Sequence, residues 1–197
     1  MGMSSRAEQK EQTRQRIVAA AARGFRKGGF VGQGVDALAR EAGVTSGAFY
    51  VHFDSKTAAF REAVRQGMAE LRAGVLHFQA EHGKAWWPRF VHFYLGFKRT
   101  CDLTDSCTLQ SLSPEVGRAD AAAREVFEAG LRAVAAAIVD GPPSPRAPRD
   151  LDAACAAMAS LIGAVTLGRA VDSPAFSEQI AGSTGRALLG PHWESSP

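Results

Sequence analysis

The stretch AGVTSGAFYVHFDSK, residues 42–56, decides how the chain is read. Two groups of small residues, Ala42-Gly43-Val44-Thr45 and Asp54-Ser55, enclose a segment with room for a very short helix. Phe49 and Phe53, four apart, fall on one face of such a helix and leave Tyr50 and His52 off it. Glycine at 43 permits the left-handed backbone that a tight turn needs. Thr45 suits the N-cap of the short helix, and Asp54-Ser55 suits the cap of the next.

Working upstream, Val35, Leu38, Ala39 and Ala42 line one side of another short helix that ends at Gly43. Before it, Ile17, Ala21 and Phe25 recur at helical spacing among Arg14, Arg16, Arg23, Arg26 and Lys27. This predicts a first helix over 13–27 with Gly28-Gly29 as its stop. Two short helices joined by a glycine-containing turn form a helix-turn-helix, whose second helix enters the major groove of double-stranded DNA with its N-terminal residues on the bases. Those residues are Thr45, Ser46, Gly47 and Ala48. Small side chains allow close approach, hydroxyls reach base edges or phosphate, and the Ala48 methyl can meet a thymine methyl. Tyr50 and His52 are then placed for phosphate oxygens. Lys56, at the start of the following helix, adds charge where backbone N–H groups also favour an anion. Singly, each has a plainer reading: Tyr50 as core, His52 as solvated, Lys56 as surface charge. The ordered combination carries the weight.

The pattern GF(x)4VDALAREAGVTSGAFYVHFDSK closely resembles the N-terminal domain of tetracycline-repressor-type (TetR) transcriptional regulators, over residues 13–60. The resemblance implies that Thr45 to Ala48 read DNA and that Tyr50, His52 and Lys56 hold phosphates. Two positions depart from the family pattern: Gly34 stands where Ser or Thr often caps the second helix, and Ser46 replaces a frequent lysine. The implied architecture is all-α, with a three-helix DNA-binding unit at 1–55 and a helical effector-binding and dimerisation domain at 56–197. The implied partners are operator DNA, a small-molecule effector and a second copy of the chain, with repression the expected outcome.

Helical spacing continues through Phe60, Val64, Met68, Leu71, Val75 and Phe78, then through Trp86, Phe90, Phe93 and Phe97. A break is expected from Thr100 to Ser113, with Pro114 at a helix N1 position. Phe127, Leu131, Val134 and Ile138 mark a further helix, GPPSPRAPR (141–149) a loop, and two more helices are expected at about 150–170 and 174–189. The segment DSCTLQSLSPEV resembles a G-C-x-[LV]-x-x-L-x-x-E element of one branch of the TetR family.

The aromatic run AWWPRFVHFYLGFK reads as core or as the wall of an apolar effector cavity. The cavity residues expected are Trp86, Phe90, Phe93, Tyr94, Phe97, Cys107 and Phe127. Cys107 is either an inert buried thiol or a sensor that opens a short helix, whose N–H groups favour thiolate while Asp102 and Asp105 oppose it. Residues 153–168, AACAAMASLIGAVTLG, carry no charge and should be covered by protein on both sides. With the stripe Phe176, Ile180, Thr184 and Leu188 on the last helix, they predict a two-fold homodimer whose interface holds Leu161, Ile162, Val165, Phe176, Ile180 and Leu188.

Composition sets the outer bounds. The 197 residues are 46% hydrophobic and 22% charged, and no run of 18 uncharged apolar residues suggests a membrane span. No secretory h-region is expected at the N-terminus, which favours a cytoplasmic protein. Three cysteines read as thiols, and the five scattered histidines have no metal-ligand spacing, so no metal or cofactor is expected. Residues 1–60 hold nine Lys/Arg against five Asp/Glu, so the positive excess sits with the DNA-reading segment. An enzyme is the first rival reading, but GGFVGQG lacks the third glycine and preceding strand of a nucleotide loop, and no catalytic constellation is visible. The second rival, an architectural DNA binder, has no use for the long near-neutral remainder.

Overall fold

The computed structural model describes residues 5–193. Its first helix, α1 (Ser5–Gly32), begins well before residue 13 because the added turns are polar and leave no apolar rhythm to read. Gly28-Gly29 acts as a kink rather than a clean stop. Gly29 takes φ 69° and ψ 175°, which needs glycine, and the chain turns Phe30 back onto Phe25 and Phe60 at ring separations of 5.9 and 5.2 Å.

Helices α2 (Val35–Glu41) and α3 (Ser46–His52) cross on Leu38 and Phe49, both fully buried. Gly43 at φ 68° makes the turn between them, closed by a bond from the Val44 N–H to the Ala39 carbonyl. Thr45 and Ser55 cap α3 and α4 (Lys56–His82) as expected, accepting from the N–H groups of Ala48 and Ala58 at 3.1 Å.

Helix α4 joins the two parts of the molecule. Phe60, Ala63 and Val64 pack towards α1, and much of its length lies along α7 (Ala121–Val139). Helix α5 (Trp86–Thr100) packs on α4 and on α8 (Leu151–Ala170), and α9 (Pro174–Leu189) pairs with α8. Helix α6 (Thr108–Arg118) wedges between α1, α4 and α8. It crosses α4 so closely that a methyl on Gly67 would sit 1.9 Å from the Thr108 hydroxyl oxygen. One continuous core runs from Ile17 and Phe25 through Phe60 to Leu112, Leu95 and Leu189.

The expected break at 100–113 is shorter than predicted. Helix α6 starts at Thr108, and Pro114 lies inside it rather than at N1. The helix tolerates a proline there because its flanking turns are fixed by burial of Leu109, Leu112 and Val116. The Pro-rich loop is ordered by α5: the Trp86 indole N–H donates to the Pro142 carbonyl (3.0 Å), and Ser144 donates to the Lys84 carbonyl (2.8 Å) while accepting from the Trp87 N–H (3.2 Å).

Among the described residues α8 is the one helix long and apolar enough, by composition alone, to cross a membrane. Here it is part of the bundle, with Ala154, Ala157, Met158, Leu161, Ala164, Val165 and Gly168 buried.

Candidate nucleic-acid interface and effector cavity

The candidate DNA-facing side is built on α3. Its fully buried Phe49 and the buried Phe53 fix the roll of the helix, which leaves Thr45, Gly47 and Tyr50 exposed and Ser46, Ala48 and His52 half-buried. The Ser46 hydroxyl donates to the Asp36 carboxylate at 2.5 Å, so a residue on α2 meets the N-terminal end of α3. Gly34 begins α2 with no side-chain cap. Val51 is 69% exposed on the same helix, an apolar contact that periodicity did not single out.

His52 faces the N-terminal half of α1. Its partial burial lowers the imidazole pKa, the cationic Lys10 and Arg14 lower it further, and Glu11 opposes them. Arg14 also lies over the Phe53 ring at 5.4 Å and pairs with Glu62 at 3.3 Å. Lys10 and Arg14 thus lie beside His52; Arg14 was legible as a cation of the first helix, whereas Lys10 lies in the polar turns before residue 13 that carry no apolar rhythm.

Lys56 turns inward. Its ammonium donates to the carbonyls of Phe30 (2.9 Å) and Gln33 (3.1 Å) and lies 4.2 Å from the Phe30 ring centroid. Breaking α1 at Gly29 leaves carbonyls in need of donors, and Lys56 supplies two of them. One N–H of the ammonium remains for an anion.

A cavity of about 460 Å³ opens between α1, α4, α5 and α6. Phe78, Phe90 and Phe93 form an aromatic wall, and Arg26, Tyr94 and Cys107 bring polar atoms to it. Four of the seven expected residues line it: Phe90, Phe93, Tyr94 and Cys107. The other three do not. Trp86 is fully buried in the core and tied to Pro142, Phe97 turns outward and is 51% exposed, and Phe127 is half-buried on α7. Helical spacing gave the rhythm of α5 but not the roll that carries Phe97 past the cavity rim. Phe78 was legible only as part of the α4 core stripe.

Arg26 reaches the cavity from α1. Its guanidinium donates to the Thr104 carbonyl (2.8 Å) and the Thr108 hydroxyl (3.5 Å) and lies 3.9 Å from Glu70. Burial lowers its pKa, against the raising effects of Glu70, Cys107 and Asp105. Cys107 is buried at the N-cap of α6. Tyr94 is 3% exposed, and its hydroxyl has no hydrogen-bond partner among the described residues.

The last two helices correct part of the expected interface. Leu161 and Val165 are buried in the chain's own core, because the roll of α8 turns them towards α5 and α7. The outward face carries Ala159, Thr166 and Leu167, with Ile162 half-buried at its edge. On α9, Phe176 is 49% exposed, and Ile180 and Leu188 are half-buried.

Residues 17–64 match the family model described as bacterial regulatory proteins, tetR family. No curated protein matches the chain. Among solved structures, reduced NemR from E. coli is 20% identical, with a TM-score of 0.71 over 89% of this chain and 94% of that one. A TetR-family regulator from Cytophaga hutchinsonii is 17% identical, with a TM-score of 0.74 over 96% and 98%. The fatty acid degradation regulator FadR from Bacillus halodurans is 16% identical, with a TM-score of 0.65 over 90% and 95%. These identities speak for a shared fold along nearly the whole chain, and the matched segment is the one that builds α2 and α3. Residues 17–64 thus carry the segment described for tetR-family bacterial regulatory proteins, on a fold shared along nearly the whole chain with solved regulators of that type.

Proposed function

We propose that this DNA-binding regulator is a repressor that binds a palindromic operator as a two-fold homodimer and leaves it when a small molecule enters the cavity beside Tyr94 and Cys107. In this reading DNA is read by residues 1–55, and effector binding and dimerisation fall to 56–197. Thr45, Ser46, Gly47 and Ala48 face the bases, joined by Asp36 through Ser46. Tyr50, His52 and Lys56 take phosphates. The partner-facing set is Ile162, Leu167, Phe176, Ile180 and Leu188.

The observation that carries this reading is Arg26, a side chain on α1, which packs against the helix-turn-helix, with its head bonded in the wall of the cavity. A ligand that disturbs that wall has a physical route to the DNA-reading unit, as a small-molecule-responsive regulator requires. Cys107 adds a thiol-reactive variant of the same reading. It stands at the N-cap of an 11-residue helix, within the electrostatic reach of Arg26, and a structural relative is described in its reduced form.

Selection of bound sequences from random duplex DNA tests the DNA half of the proposal. The expected product is a pseudo-palindrome with half-sites about 34–36 Å apart. Ser46→Ala and Asp36→Asn should change preference at the same base position, by about 1–3 kcal/mol. Selection of no common sequence would leave the architectural reading in its place. For the thiol, an electrophile should release DNA from the native protein and not from Cys107→Ser.

A further inference from the structure

We infer that the cavity selects a planar, apolar carbonyl compound whose carbonyl oxygen accepts a hydrogen bond from Tyr94 while its rings lie against Phe78, Phe90 and Phe93. The inference rests on the reading of this cavity as the effector site and adds the chemical class of the effector.

Two independent features lead to it. The first is the unpartnered Tyr94 hydroxyl. A buried phenol almost always finds a partner, because leaving the donor unmade costs more than the bond itself gains. Tyr94 is 3% exposed in the wall of a cavity, and its hydroxyl meets no oxygen or nitrogen partner among the described residues, with the weakly hydrogen-bonding Cys107 thiol alongside it. Burial, with the Cys107 thiol alongside, pushes its pKa well above that of an ordinary tyrosine. The group is therefore a neutral donor throughout the physiological range, suited to a neutral acceptor.

The second feature is the shape and polarity of the wall. Phe78 meets Phe90 edge-on at 5.6 Å and Phe93 at 5.3 Å, so three rings form one continuous aromatic surface. Such a surface receives a flat hydrocarbon body. The charged groups of the lining have partners within the protein: Arg26 donates to the Thr104 carbonyl and lies 3.9 Å from Glu70, Lys98 donates to the Asp105 carbonyl at 2.6 Å, and His77 pairs with Glu81 at 2.7 Å. The neutral donor at Tyr94 is what the aromatic floor leaves unused. Its oxygen is enclosed with the Cys107 thiol alongside, so the inferred ligand reaches it when that thiol turns to another staggered χ1 position.

The test uses two probes of nearly equal size, 2-acetylnaphthalene and 2-ethylnaphthalene, which differ in the carbonyl oxygen. Binding to the full-length protein is measured by calorimetry, and DNA release by fluorescence anisotropy of a labelled operator. The ketone is expected to bind the native protein about tenfold more tightly than the hydrocarbon. Tyr94→Phe should erase that preference by weakening ketone binding alone. In the native protein the infrared carbonyl stretch of the bound ketone should move to lower frequency, which needs no variant to fold. Equal binding of the two probes, or an unshifted carbonyl band, overturns the inference and leaves the cavity as an effector site for other ligands. No binding of either probe overturns it as well. Ketone preference without DNA release upholds the assignment of Tyr94 and overturns the effector reading on which it was built.

Discussion

His52 shows how much one side chain can reveal about the interface. In the free protein its imidazole is held below the ordinary value of 6.5 by partial burial and by Lys10 and Arg14, against Glu11. A DNA phosphate reverses that balance, since an anion favours the imidazolium. Binding therefore takes up a proton, and operator affinity should rise as the pH falls from about 8 to about 5.5. His52→Gln should flatten that profile in anisotropy titrations at constant salt. The sign for folding is opposite. A histidine with a depressed folded-state pKa contributes fully above the unfolded value of 6.5 and loses that contribution as the pH drops below it. Lys56 separates two roles in the same way. Lys56→Ala should weaken binding to every DNA sequence alike and reduce the salt slope by about one per half-site. It should also lower the melting temperature, because the Phe30 and Gln33 carbonyls lose their donor. The sequence marked Lys56 as a cation at a helix start. It did not show that the head turns inward, because the carbonyls it serves are exposed by a kink more than twenty residues away in the chain.

At the scale of elements, legibility followed local chemistry. Thr45, Ser55 and Gly43 define caps and a turn within four residues of themselves, and each does in the structure what its residue type requires. The roll of a helix is different, since it depends on what packs against it from far away. Helix α8 is apolar nearly all round, so its periodicity held no information about which side meets the core. This makes an exchange of glutamates informative. Leu161→Glu buries a charge in the chain's own core and should destabilise the fold by about 3 kcal/mol or more. Leu167→Glu, at a residue 57% exposed, should leave the melting of the subunit nearly unchanged while reducing the mass seen by light scattering to that of one chain. Operator affinity should fall with it, because each half-site would then bind alone. A Leu167→Glu protein that keeps the mass of two chains would move the interface off this face of α8.

Across the whole molecule, Arg26 couples the cavity to α1, and its worth can be measured as a coupling free energy. Arg26→Met keeps the stem and removes the bonded head. Operator affinity without ligand should change by less than the ligand effect itself, while the ratio of affinities with and without ligand should fall towards one. An unchanged ratio would mean that the two parts communicate along α4 alone. Nothing at Arg26 announced this in the sequence, where it was one of five cations around an apolar stripe. Its partners Thr104 and Thr108 lie in the expected break between helices, where no periodicity shows which side chains meet α1.

The crossing of α4 and α6 has a consequence for the evolution of the gene. The codon of Gly67 can reach only larger side chains by a single base change, and even alanine would press on Thr108 from 1.9 Å. That overpacking costs about 1–3 kcal/mol. Gly74, two turns further along the same helix, lines the cavity, so a side chain there overpacks nothing and takes up cavity space instead. Two glycines seven positions apart thus differ sharply in mutational tolerance. Natural variants should be purged at codon 67 unless a change that shortens residue 108 has come first, whereas changes at codon 74 should spare the fold and alter what the cavity holds.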